Sequence, residues 1–307
     1  ASFTVNFNCS IWQRIYPPNF IMSGKTSIIL AFWLAVTEVN SPPVKSFNTR
    51  LSEHISATGS HLCVGLDINP EALQMNYSTL DDLKEHTRKV IEATTGLAAV
   101  YKPNLAFFER WGSAGIEWLE ETMEWIGDSA LTIGDAKRGD IGNTARQYAA
   151  SLFKYFGFDA VTVNPYMGRD AIEPFTQASE KGVFVLCRTS NASASDIQNN
   201  ESNGERLFEI VARLVTKLNS NDNMGLVVGG TSAAEISGVR ELAPGLPFLI
   251  PGIGFQGGDL ETSFKSGNTN GIAVINISRS IIFAGDQGFK DIRAEAQRYV
   301  EIMQDLQ

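Results

Sequence analysis

Eight short apolar runs punctuate the chain from residue 60 onward, and their number and spacing constrain the fold more than any other feature. They are LCVGLD (62–67), AAVYKPN (98–104), LTIGDAK (131–137), AVTVNPY (160–166), VFVLCRTS (183–190), MGLVVGG (224–230), PFLIPGIG (247–254) and IAVINISR (272–279). Between them lie stretches of helical period, such as TLDDLKEHTRKVIEATTGL (79–97) and GERLFEIVARLVTKLNS (204–220). Near-continuous apolar strands are buried on both faces, as a parallel sheet requires. Eight strand–helix units in about 250 residues suit a closed (β/α)8 barrel, an α/β fold, better than an open doubly wound sheet. No G-x-G-x-x-G opens a helix after the first run, so a dinucleotide-binding fold has little to stand on. A chain of 307 residues would ordinarily suggest about two domains, but barrels of this length form one. The expected organisation is a single catalytic barrel over residues 45–307, preceded by an extension of unknown role at 1–44.

Within that extension, SIILAFWLAV (27–36) is apolar for about ten residues, too short to span a bilayer. A net charge of −9 argues against a nucleic-acid surface, which needs clustered Lys and Arg. A few local cations can still dominate a pocket for a small anion. The three cysteines, Cys9, Cys63 and Cys187, are widely spaced and form no CxxC. That disfavours a disulfide framework or a zinc site and fits a reducing compartment, so the expected location is cytoplasmic. His54, His61 and His86 form no HxxxH or HxH pair, and no metal site is expected from them.

Chemistry concentrates where the strands end. In a barrel the C-terminal strand ends surround one pocket, and catalytic residues come from several of them. Here those ends carry Asp67, Lys102 with Asn104, Asp135 with Lys137, Asn164, Thr189 with Ser190, and Arg279. Strands end in solvent anyway, so polar termini alone say little. The alternation of charge is more telling: in GDAKRGDIGNTA (134–145), Asp135, Lys137, Arg138 and Asp140 crowd one turn. Residues two apart on a strand share a face, so Ile133, Asp135 and Lys137 are expected to point toward the barrel axis. A capping Asp140 beside a surface ion pair would account for the turn by itself, but Lys102 arrives independently from the neighbouring strand. Glycine-rich text after the seventh strand (GIGFQGGD) and Arg279 at the end of the eighth form a phosphate cradle of backbone N–H groups and a guanidinium.

Taken in order, DAKRGDIGNTA, CVGLD, YKPN, VLCRTSN, PGIGFQGGD and ISR resemble the motif set of the orotidine 5'-phosphate decarboxylases, over roughly residues 46–305. A lone DxKxxD is shared with related sugar-phosphate enzymes; the ordered set is far more specific. The resemblance implies a cofactor-free homodimer of shared active sites, acting on orotidine 5'-phosphate and yielding UMP and CO2 in pyrimidine synthesis. It implies that Asp135 faces the substrate carboxylate, that Lys137 donates the proton, and that Lys102 and Asp140 complete an alternating array. Asp140, Ile141 and Thr144 would reach into the neighbour's pocket. Asp67 and Lys102, with Asn104 close by, would hold ribose hydroxyls, and Ser190 would read the pyrimidine amide edge. Gln256, Gly258 and Arg279 would bind the phosphate. NASASDIQNNESNG (191–204) suits the longer form of the lid after the fifth strand.

Two other functions use parts of the same text. A magnesium-dependent 3-keto-sugar-phosphate decarboxylase or hexulose-phosphate aldolase shares DxKxxD but adds a metal-binding carboxylate near the second strand, where YKPNLAFFE supplies lysine and asparagine. A non-catalytic nucleotide-phosphate-binding barrel would keep Gln256 and Arg279 but has no use for two lysines interleaved with two aspartates.

Overall fold

Each of the eight apolar runs forms a parallel strand, and together they close on themselves. In a computed structural model, which describes residues 44–307 except 74–77, 231–232 and 255–257, the strands are β1 (Leu62–Leu66), β2 (Val100–Pro103), β3 (Leu131–Arg138), β4 (Ala160–Val163), β5 (Gly182–Arg188), β6 (Met224–Val228), β7 (Phe248–Ile250) and β8 (Ala273–Ile277). They form a closed barrel in sequence order, with β8 hydrogen-bonded back to β1 through Leu62↔Ile275 and Cys63↔Asn276. The α/β barrel expected from strand spacing is therefore the fold. The extension at residues 1–44 lies outside the described residues, Val44 apart.

Alternation along the strands makes two apolar layers. Leu62, Val64 and Leu66 of β1 face outward into the cluster shared with the surrounding helices, whereas Cys63 faces inward with Val100, Ile133, Ala160, Phe184 and Val274. The lower mouth of the barrel is plugged by the helix Phe47–Thr58, whose Phe47, Leu51 and Ile55 join that inner cluster. Ser46 caps this helix by accepting from Thr49 N, and Gly59 ends it at φ 62°, a left-handed conformation open to glycine at no steric cost. Gly182 leaves the space into which the Phe47 ring fits: a Cβ there would meet that ring at 2.4 Å.

Two residues further along the inward face the chemistry changes. Val100 is followed by Lys102, Ile133 by Asp135, Ala160 by Thr162 and Val274 by Asn276, all buried. The apolar interior thus ends one layer below the C-terminal rim, and a layer of buried polar side chains rests on it. Helix boundaries differ modestly from expectation: 79–97 folds as Leu80–Thr94, capped reciprocally by Thr79 and Asp82. After β3 the chain forms an α-helix, Gly142–Ala150, continued by a wider π turn, Ser151–Tyr155.

Candidate active site

The centre of the rim layer is a carboxylate held between two ammonium groups. Lys102 Nζ donates to Asp135 Oδ2 at 2.8 Å, and Lys137 Nζ donates to Asp135 Oδ1 at 2.6 Å. Thr162 Oγ1 donates to the same Oδ1 at 2.9 Å, and in turn accepts from the Lys137 backbone N–H at 2.9 Å. Thr162 was not among the residues singled out in the sequence; its signal is a hydroxyl within the apolar AVTV run, on the inward face.

Local backbone irregularity sets this geometry. β3 and β4 pair Gly134↔Val161 and Arg138↔Val163, so four steps on β3 span two on β4. Lys137 lies in this bulge at φ 48°. The regular alternation expected for Ile133, Asp135 and Lys137 therefore breaks after Asp135, and the bulge re-aims Lys137 at the rim, a use bulges commonly have next to functional sites. Its side chain is half-exposed, whereas Lys102 and Asp135 are enclosed. Burial penalises the charge of Lys102, but the Asp135 and Asp67 carboxylates outweigh it and raise its pKa above the ordinary lysine value. Burial likewise favours neutral Asp135, yet Lys102 and Lys137 hold its carboxyl far below the usual range.

Beside this chain lies a cavity of about 190 Å³. Asp67, Lys102, Asn104 and Asp135 line one side; Gly252, Ile253, Asn276, Ser278, Arg279 and Ser280 line the other. Asp67 Oδ1 is buried with no hydrogen-bond partner. Asn104 forms a bridge with Asp135, and its Oδ1 accepts from Ala106 N, capping the helix Leu105–Glu109. Arg279 opens the short helix Arg279–Ile282 directly after β8 and is exposed. On the β7 side three glycine backbones press together: a Cβ on Gly258 would meet Gly252 O at 2.6 Å and Gly230 O at 2.7 Å, and Gly252 itself has φ 95°. No side chain fits at Gly230 or Gly258 themselves, and Ile253 Cδ1 packs against both, 2.4 and 3.0 Å from where a Cβ would stand. Gln256 lies outside the described residues.

Not every expected residue meets there. Asp140, Ile141 and Thr144 do not line the cavity; the Asp140 carboxylate accepts from Ile141 N at 2.8 Å, and Ile141 and Thr144 are exposed. Asp140 is not the cap of the following helix either, whose N-cap is Ile141 with no side-chain bond. Ser190 sits past the end of β5, where Gly229 lets the backbones approach: a Cβ there would lie 2.8 Å from Ser190 N. The loop beyond it folds as a 3-10 turn (Ala192–Ala194), a short helix (Ser195–Gln198) and a two-stranded ribbon (Glu201–Ser202 with Glu205–Arg206).

Known proteins with similar sequences and folds place the chain in a family. Residues 60–291 match the model of the orotidine 5'-phosphate decarboxylase / HUMPS family. Curated orotidine 5'-phosphate decarboxylases from Halorubrum lacusprofundi and Natronomonas pharaonis are 47% identical over 251 residues and 45% identical over 262. These alignments cover 79% and 82% of this chain and 89% and 96% of the relatives. The solved structure of Leishmania donovani OMP decarboxylase superposes with a TM-score of 0.75 at 38% identity, covering 85% of this chain and 98% of that one. With a family model matched over most of its length and relatives above 40% identity, the chain belongs to the orotidine 5'-phosphate decarboxylase / HUMPS family.

Proposed function

We propose that the chain is a carboxy-lyase that converts orotidine 5'-phosphate to UMP and CO2 in pyrimidine synthesis, with no metal or organic cofactor. The observation that carries this reading is Asp135, buried and bound at 2.8 and 2.6 Å by Lys102 and Lys137. Loss of CO2 from C6 of the pyrimidine leaves a carbanion-like centre with poor delocalisation. A carboxylate fixed beside the departing carboxylate disfavours the bound substrate, since like charges repel strongly in a site shielded from water. An ammonium fixed beside C6 stabilises the developing charge and then supplies the proton. Asp135 takes the first role and Lys137 the second. Lys137 is the more exposed lysine, free to turn from Asp135 toward substrate, while enclosed Lys102 keeps Asp135 ionised.

The remaining assignments follow the same reading. Asp67 and Lys102, with Asn104 near them, hold the ribose hydroxyls; the unpartnered Asp67 Oδ1 supports this. Ser190 reads the base, and Gln256, Gly258 and Arg279 hold the phosphate. Binding energy from that remote phosphate helps order the lid and the charged groups around C6. Asp140 completes the array from a second subunit, with Ile141 and Thr144. Large exposed side chains on that flank, Ile141 (50%), Tyr155 (68%), Tyr166 (82%) and Met167 (49%), support a homodimer. Among the described residues no helix is long and apolar enough to cross a membrane. Buried, unpaired Cys63 and Cys187 are in keeping with the cytoplasm. Residues 1–44 are assigned as an extension outside the catalytic unit.

The test is an ultraviolet assay of orotidine 5'-phosphate consumption by chelator-treated protein. Turnover undiminished by chelator is expected. Activity only on a keto-sugar phosphate with added magnesium would favour the sister reaction, and nucleotide binding with no turnover would favour a non-catalytic barrel.

A further inference from the structure

Asn276 was not singled out by the sequence motifs, yet it lies in the rim layer and lines the cavity. It pairs with Cys63 across the β1–β8 seam, and Cys63 Sγ donates to Asn276 Oδ1 at 3.5 Å. A thiol can donate here only while protonated, and burial pushes the Cys63 pKa up to about 12, so the donor persists at any working pH. With Oδ1 turned to the thiol, the Nδ2 amide must face the other way, and it donates to no group among the described residues. Room for the side chain comes from Gly65, where a Cβ would lie 3.0 Å from Asn276 Oδ1. Neighbouring Ser278 Oγ donates to Gly65 O at 3.0 Å, leaving Asn276 the neutral amide on that wall.

Asp67 and Asn276 thus line the cavity between the lysine–aspartate chain and Arg279, and among the described residues Asp67 Oδ1 has no partner and Asn276 Nδ2 donates to none. A sugar hydroxyl both donates and accepts, and the sugar is the part of a nucleotide that spans base and phosphate. We propose that Asn276 is a further substrate-binding residue whose Nδ2 donates to a ribose oxygen, and that Cys63 is a positioning residue that fixes which way the amide faces. This rests on the proposed function, since it takes the ligand to be a nucleoside monophosphate.

Asn276→Leu removes the donor at nearly constant volume and charge, and Asn276→Ala does so without risk of overpacking. Both should lower kcat/KM for orotidine 5'-phosphate about tenfold, the loss of one well-formed hydrogen bond. Calorimetry should show the same fold loss for UMP and ribose 5-phosphate, while inorganic phosphate binds as to the native protein. Cys63→Ser keeps a donor and should retain native affinity within about twofold; Cys63→Ala should lose part of it. The assignment of Asn276 is overturned if both Asn276 variants bind ribose 5-phosphate within twofold of native, or lose phosphate affinity by the same factor. Identical affinities for Cys63→Ser and Cys63→Ala would remove Cys63 from the account. A native protein that binds ribose 5-phosphate but never turns over orotidine 5'-phosphate would refute the functional reading alone.

Discussion

Lys137 occupies the left-handed region at φ 48°, a conformation that costs a residue bearing a Cβ about 1–2 kcal/mol. The surrounding bonds hold it there, since its N–H is bound by Thr162 and its ammonium by Asp135. Lys137→Ala and Lys137→Gly should both abolish turnover while leaving UMP binding measurable. Lys137→Gly should be the more stable to denaturant by about 1 kcal/mol, and the strain would be absent if it were equal or worse. Asp135→Ala should behave differently, because it takes from buried Lys102 its bonded counter-charge and leaves only the nearby Asp67 carboxylate, at a cost of about 3 kcal/mol of stability. An Asp135→Ala protein as stable as the native one would mean that Lys102 sheds its charge or reaches water. The sequence makes these charges legible, because acids and bases crowded at strand ends stand out. The bulge that aims Lys137 was not legible, because a period of two assumes an unbroken pleat. Thr162 and Asn276 were equally hidden, since a small polar residue inside an apolar strand looks like a satisfied core residue.

The loop after β5 is bound to its own root. Thr189 N donates to Gln198 Oε1 at 2.9 Å and Gln198 Nε2 donates to Thr189 Oγ1 at 2.7 Å, pinning the helix Ser195–Gln198 beside Ser190. Gln198→Ala should speed amide exchange across residues 191–204 and lower kcat/KM for orotidine 5'-phosphate about tenfold. Unchanged exchange would mean the ribbon, not Gln198, holds the loop. That ribbon had a readable signal: Asn203 and Gly204, at φ 55° and 81°, are the Asn-Gly pair of a tight hairpin turn. The helix expected from 204 begins at Leu207 because Glu205 and Arg206 belong to the ribbon. The existence of the eight barrel strands was legible, their lengths less so, and the ribbon was missed. Runs such as AVTVNPY continue past Val163 into rim text that the apolar pattern cannot separate from the strand.

The barrel as a whole follows from the spacing of eight apolar runs, a global pattern that tolerates local error in every boundary. Its stability should carry a pH signature from two buried histidines. His61 donates to Ala273 O and His86 to Ile282 O, each at 2.7 Å, and burial, only partly offset by those bonds, lowers both pKa values below 6.5. A lowered folded-state pKa means stability present above about pH 6.5 is lost as pH falls through the folded value. The melting temperature should be level above pH 7 and decline below about 6.5, before carboxylates near pH 4 are protonated. A double variant, His61→Asn with His86→Gln, should shift that onset downward, and an unchanged onset would assign it elsewhere. What tests the account most directly is whether two dead proteins restore each other. Under the proposed shared site, Lys137→Ala spoils a pocket's own lysine and Asp140→Ala spoils the acid lent to the neighbour. A mixed dimer then has one pocket with both defects and one with neither. Random reassortment makes about half the dimers mixed, so about a quarter of native activity per site should return on refolding the two together. If mixed dimers form and remain as inactive as either parent, Asp140 serves its own pocket and the shared site is wrong.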